Sequence, residues 1–266
     1  MANKVLEKTL NNVSSEDLRA GYAAPGQVAQ DAFGNSVNPP VDFTGTADAM
    51  SVTGSARAAL VLFAIVVASG TWAWTSVPES SYGLVLIGGM ILSLVFGLIT
   101  TFKPQVARIT GPLYALAIGA ALGAISKIYE DAYNGIVFQA ILATGSIVFV
   151  MYTLYSTRIL KVTERFRKVV IGATLGIMVF YMITIVMSLF GGTMPLVWDS
   201  GLMGIGFSLF VIIIAASNLA LDFDFIERGS QAGLPKYMNW AAGYGLIVTI
   251  VWIYLEVLRL LAKTRN

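Results

Sequence analysis

Residues 161–190 read KVTERFRK followed by VVIGATLGIMVFYMITIVMSLF, a short basic segment and then 22 consecutive residues without a charged side chain. As a helix rising 1.5 Å per residue, the second part extends about 33 Å, enough to cross a hydrocarbon core of about 30 Å. Working outward, similar apolar runs occupy 57–75, 82–101, 111–128, 135–155, 201–221 and 240–261. Charge or helix breakers separate them: Pro78 and Glu79, Lys103 and Pro104, Glu130 and Asp131, the basic run Arg158 to Lys168, Pro195 and Asp199, and the stretch from Asp222 to Lys236. The expectation is an all-α membrane protein with seven transmembrane helices in one domain, 56–266.

Composition agrees. Of 266 residues, 56% are hydrophobic and 12% charged, about half the charged fraction of a soluble domain. There is neither cysteine nor histidine, which removes disulfides, thiol catalysis, thiolate metal sites and the usual neutral-pH base. No phosphate loop, nucleophile triad or carboxylate–histidine constellation is present, so no enzyme, catalytic residue, metal site or cofactor is expected. The net charge of +2 is scattered between apolar runs and forms no aromatic-interleaved basic face, so no nucleic-acid partner is expected.

Residues 1–55 carry Gly, Ala, Asn, Asp and Pro in no sustained apolar period and read as a polar N-terminal tail, with at best a short amphipathic helix from Asn3 to Leu18. The tail is too polar and acidic for a signal peptide, so the first long helix is expected to direct insertion, with nothing cleaved. The 156–168 loop sets the orientation: Arg158, Lys161, Arg165, Arg167 and Lys168 against Glu164 place it in the cytoplasm. The 102–110 loop and the N-terminus then fall on the same side. Seven crossings leave Lys263 and Arg265 on the other side, contrary to the charge rule, unless the last segment is not a simple crossing.

Ionisable groups at membrane depth are functional candidates. Asp222 and Asp224 stand at the end of the sixth run, with Asn218 one turn earlier, and Glu256 lies in the last. Residues two apart on a helix point about 200° apart, so the two aspartates cannot both face the bundle interior. Asp224 also has Glu227 and Arg228 at pairing distance, and Glu256 has Arg259 three residues on and Trp252 four back, the pattern of a paired acid near an aromatic belt. Lys127 and Asp131 have the spacing of a helix salt bridge. Gly119 with Gly123, and Gly172 with Gly176, have the spacing that lets helices approach closely in lipid.

Three stretches together resemble the transmembrane Bax inhibitor motif family in its bacterial branch. They are PLYAL at 112–116 running through Gly119 to LGAIS at 122–126; IVFQA at 136–140 continuing to KVTERFR at 161–167 and SLFG at 188–191; and LDFD at 221–224 with Gly229, Tyr237, Ala241 and LRLL at 258–261. The likeness spans residues 57–262. It implies a central last helix ringed by the other six, and a bacterial cytoplasmic membrane. It also implies a pH-sensitive calcium leak in which an aspartate ending the sixth helix pairs with one in the seventh, or, in some relatives, modulation of a membrane protease. Two carboxylates forced together cannot both ionise cheaply, which makes such a pair a proton switch.

Residue by residue, Asp224 matches the first aspartate of that pattern, Thr249 stands where the second is found, and Ile118 replaces an acid of the third helix. Glu256, two turns and about 10 Å beyond Thr249, is on the same face but out of reach of Asp224 in an unbroken helix. Two functions follow. One is a leak for cations, calcium by resemblance, with Asp224 as pathway acid supported by Asp222, Thr249, Glu256 and Asn218. The other is a non-conducting scaffold or regulatory subunit that uses the tail or the 156–168 loop to hold a membrane-protein partner or anionic lipid.

Overall fold

The computed structural model describes residues 29–30, 36–37, 49–191 and 201–265. The proposed helix from Asn3 to Leu18 and the breakers Pro195 and Asp199 lie outside the described residues. In the unit formed by residues 1–43, Ala29–Gln30 pairs antiparallel with Ser36–Val37. In the unit from residue 44 onward, seven helices are long and apolar enough to cross a membrane. They are α1 (Val52–Ser76), α2 (Tyr82–Phe102), α3 (Ala107–Ala132), α4 (Ile136–Ser156), α5 (Glu164–Leu189), α6 (Leu202–Gln231) and α7 (Met238–Arg265).

Three boundaries differ from the apolar runs by five residues or more, each for a local reason. Helix α1 begins at Val52 because Ser51 caps it, accepting from Gly54 N at 3.0 Å, a bond that satisfies one of the free amides of the first turn. Helix α5 takes in half of the basic segment, since Thr163 caps it from Phe166 N at 3.2 Å and Glu164 sits in its first turn. Helix α6 runs on for nearly three turns past Leu221 to Gln231, through a stretch expected to be a boundary. Pairing of Asp224 with Arg228 and of Glu227 with Gln231 supports those polar turns. The helix stops where Gly233 adopts φ 63° and Leu234 N reaches back to Gly229 O, the left-handed termination that glycine permits.

Helix α7 is the axis. It packs directly on α1, α2, α3, α4 and α6, and α5 reaches it through side chains, Tyr181 bonding Glu256. Its buried residues, among them Ala242, Leu246, Val251, Ile253, Val257 and Leu258, fall all around the helix. Half of its apolar window is buried and 67% of that of α3, against 17–33% for the other five. Those five turn large apolar side chains outward, such as Leu60, Leu84, Phe149, Met178 and Ile213, the surface a bilayer covers. The protein is an integral membrane seven-helix bundle.

Helix α7 crosses completely, so its C-terminus lies at the end opposite the 157–163 turn. The two basic residues there are absorbed by the bundle. Lys263 is buried and donates to Gly204 O at 2.9 Å and Ser208 Oγ at 3.0 Å, while Arg265 donates to Asn134 O and Gln139 Oε1, each at 2.9 Å. At the other end, Asn239 of α7 accepts from Ser51 N and Ser55 Oγ at 3.0 and 3.1 Å, tying the start of α1 to the start of α7.

The two glycine pairs part company. Gly119 and Gly123 press α3 against α1: a β-carbon at Gly119 would stand 2.5 Å from Val66 O, and one at Gly123 would overlap the Gly70 carbonyl. Gly172 and Gly176 have no neighbour within 4 Å and face outward on α5, not into the bundle. Gly123→Ala should therefore lower stability by roughly 2 kcal/mol through overpacking, read as a lower thermal midpoint in detergent. Gly176→Ala should leave that midpoint unchanged.

Candidate functional site

Helix α6 separates its two aspartates as the 200° offset requires. Asp224 is buried, 6% exposed, and turns toward α5. There it accepts from Arg167 at 2.7 Å, and Arg228, one turn on, donates through Nε to Oδ1 at 2.9 Å. Arg228 also reaches Val162 O at 3.2 Å, and Arg167 lies 3.7 Å from Glu164. Beside this cluster Glu227 receives Tyr155 and Arg158. These contacts fasten the 157–163 turn and the start of α5 onto the end of α6. An acid held between two guanidiniums in this way is a structural tie, with its lone pairs already used.

Asp222 points the other way, toward α7. Thr249 Oγ1 donates to its Oδ2 at 2.6 Å, and a β-carbon built on Gly245 would sit 3.6 Å from its Oδ1. The glycine leaves the second oxygen open to a cavity of about 260 Å³ lined by Thr100, Thr101, Asp222, Phe225, Tyr244 and Gly245. The cavity lies between the ends of α2 and α6 and the start of α7, at the same end of the bundle as the 157–163 turn. Its far wall is fixed by Tyr244, whose ring meets Tyr114 edge-on at 4.9 Å.

Asp222 differs from every other acid among the described residues. Asp131, Glu164, Asp224, Glu227 and Glu256 each pair with a cation. Glu130 caps α4 by accepting from Gly135 N and Val137 N at 2.6 and 3.1 Å, and Glu79 is exposed in the turn before α2. Asp222 has one hydroxyl and no ammonium or guanidinium. No group of three potential metal-ligating residues converges among the described residues.

The five candidate residues thus fall into separate groups. Asp222 and Thr249 meet, so the acid opposite Thr249 is Asp222 and not Asp224. Asn218 bridges to Thr174 Oγ1 of α5 at 2.7 Å and to Ile214 O at 2.9 Å, away from the cavity. Glu256, 1% exposed, is an ion-paired acid as its spacing to Arg259 suggests: Oε2 accepts from Arg259 at 2.8 Å and from Tyr181 at 2.9 Å. Sequence reasoning found the Asp224–Arg228 pair through its local spacing. It missed Arg167, Tyr181, Asn239 and the inward course of Lys263, whose partners are 55 to 188 residues away and leave no periodic signal.

The family model described as Bax inhibitor 1 like matches residues 5–266 of the chain. No curated protein and no solved structure matches it.

The two aspartates should respond differently to neutralisation. Asp224→Asn leaves Arg228 without its anion and Arg167 with only the more distant Glu164, and should cost about 1–3 kcal/mol, seen as a lower thermal midpoint in detergent. In Asp222→Asn the amide oxygen still accepts from Thr249 and an uncompensated charge is lost, so the midpoint should hold or rise.

Proposed function

Because the chain belongs to the Bax inhibitor 1 like family, a family of membrane proteins, we propose that it is a cation leak whose pathway acid is Asp222. Calcium is the ion that the family resemblance suggests. The observation that carries this reading is the contrast among the acids: among the described residues, Asp222 alone combines a place in a membrane-length apolar helix, a cavity and the lack of a cationic partner. Retaining such a group in a bilayer is costly, and that cost is accepted where an ion or proton is handled. Thr249, at the position where the family has its second aspartate, supplies a neutral oxygen in place of a charged one. Proton sensitivity then rests on a single carboxylate.

A second reading, a regulatory or scaffold subunit, draws on the opposite feature. Lys161, Arg165 and Lys168 are exposed on the turn before α5 and its first turns, and Asp224 is committed to holding that region together. This surface suits anionic lipid or an acidic partner segment, and it needs no conduction.

Calcium entry into liposomes carrying the purified protein, followed at about pH 6 and about pH 8, separates the two readings. The leak reading predicts flux that changes with pH, that falls by about tenfold or more in Asp222→Asn, and that survives in Asp224→Asn protein that remains folded. Flux no greater than in empty liposomes would leave the scaffold reading.

A further inference from the structure

The cavity at Asp222 does not cross the protein, and the stripe of α7 that lines it shows what stops it. Met238, Ala242 and Gly245 face the cavity, and the same alternating spacing of three and four continues through Thr249, Trp252, Glu256 and Arg259. Such a stripe stays on one face of a helix. One step past Thr249 the indole of Trp252 packs against the cluster of Ile177 from α5 with Val211 and Ile214 from α6. These three are 5%, 0% and 9% exposed, and Phe207 and Tyr181 pack on the same cluster, an apolar layer from which the Tyr181 hydroxyl reaches Glu256.

One turn further the seam becomes polar again. Tyr181, Glu256 and Arg259 form a triangle with sides of 2.7 to 2.9 Å, and the guanidinium lies 5.2 Å from the tyrosine ring centre. All of this serves Oε2. The other carboxylate oxygen, Oε1, is buried without a hydrogen-bond partner. An acceptor left open in a low-dielectric interior is costly, and here it belongs to the residue one turn beyond Trp252 on α7. Two oxygen sites, Asp222 with Thr249 and Glu256, therefore lie about two turns apart on α7 with one aromatic side chain between them.

We propose that Trp252 is the gate of the pathway, an apolar plug that keeps water and hydrated cations at Asp222 from the open oxygen of Glu256. This rests on the leak reading for what passes, but the barrier itself can be tested without ion flux. The native chain has no cysteine, so single cysteines report access directly. A β-carbon at Gly245 meets only ordinary contact, which makes Gly245→Cys a reporter on the cavity side, and Tyr181→Cys reports beyond the layer. A membrane-impermeant thiol reagent is applied to proteoliposomes from the face carrying the 157–163 turn.

With Trp252 in place, Gly245→Cys should react and Tyr181→Cys should not. In the Trp252→Ala background the rate at Tyr181→Cys should rise by about tenfold or more, as expected when an apolar constriction is wetted, while that at Gly245→Cys stays the same. Trp252→Val serves the same purpose if the alanine variant is not monodisperse. Equal reaction at Tyr181→Cys with and without the indole would overturn the gate. Calcium flux on the same samples keeps the two claims apart. A gain in access with no flux in any variant would uphold the barrier and refute the leak; wild-type flux unaltered by Trp252→Ala, with unaltered access, would uphold the leak and refute the gate.

Discussion

Inside a bilayer a carboxylate has no bulk water to fall back on, so its partner decides what it does. Three acids occupy the apolar helices α6 and α7 at depth, and three different partners give them three roles. Two guanidiniums hold Asp224, and the α5–α6 junction depends on that tie. Tyr181 and Arg259 take one oxygen of Glu256 and join α5 to α7, whose backbones are otherwise apart. A lone hydroxyl meets Asp222, and the lack of anything stronger leaves it beside a cavity with lone pairs to offer.

The same constraint explains why α7 can be central. A helix enclosed by others must be apolar nearly all round, yet every neighbour it holds through polar atoms adds specificity to an interior where apolar packing alone discriminates little between helix arrangements. Helix α7 meets both demands by spending few polar residues, spread over four neighbours. Asn239 secures α1, Thr249 secures α6, Tyr254 meets Ser126 of α3 at 2.6 Å, Glu256 reaches α5, and Lys263 reaches the start of α6. Close approach of α3 to α1 through Gly119 and Gly123 joins two of these neighbours to each other.

The number of crossings and the class of the fold were legible because runs of twenty apolar residues carry their own physical meaning. Helix ends were legible only where the chain stays apolar; Thr163 and Ser51 moved the starts of α5 and α1, and paired charges carried α6 to Gln231. At the site, the 200° offset sends Asp222 and Asp224 to different helices of the bundle, α7 and α5, rather than one inward and one outward, because rotation about the helix axis cannot be read from one helix. Thr249 meets Asp222, while Asp224 is taken by Arg167, 57 residues away; the residue-by-residue resemblance matches Asp224. The glycine spacing misled for the same reason: Gly172 and Gly176 look like Gly119 and Gly123 until the neighbours are in place.

Asp222 faces Thr249, and placing a second carboxylate at position 249 tests most directly whether Asp222 is the pathway acid. In Thr249→Asp, two carboxylates come within hydrogen-bond reach and their titrations become coupled. Calcium flux through this variant should gain a steeper pH dependence, which Asp222→Asn removes and Asp224→Asn leaves in place. Loss of the gained pH dependence on neutralising Asp224, with none on neutralising Asp222, would contradict the account.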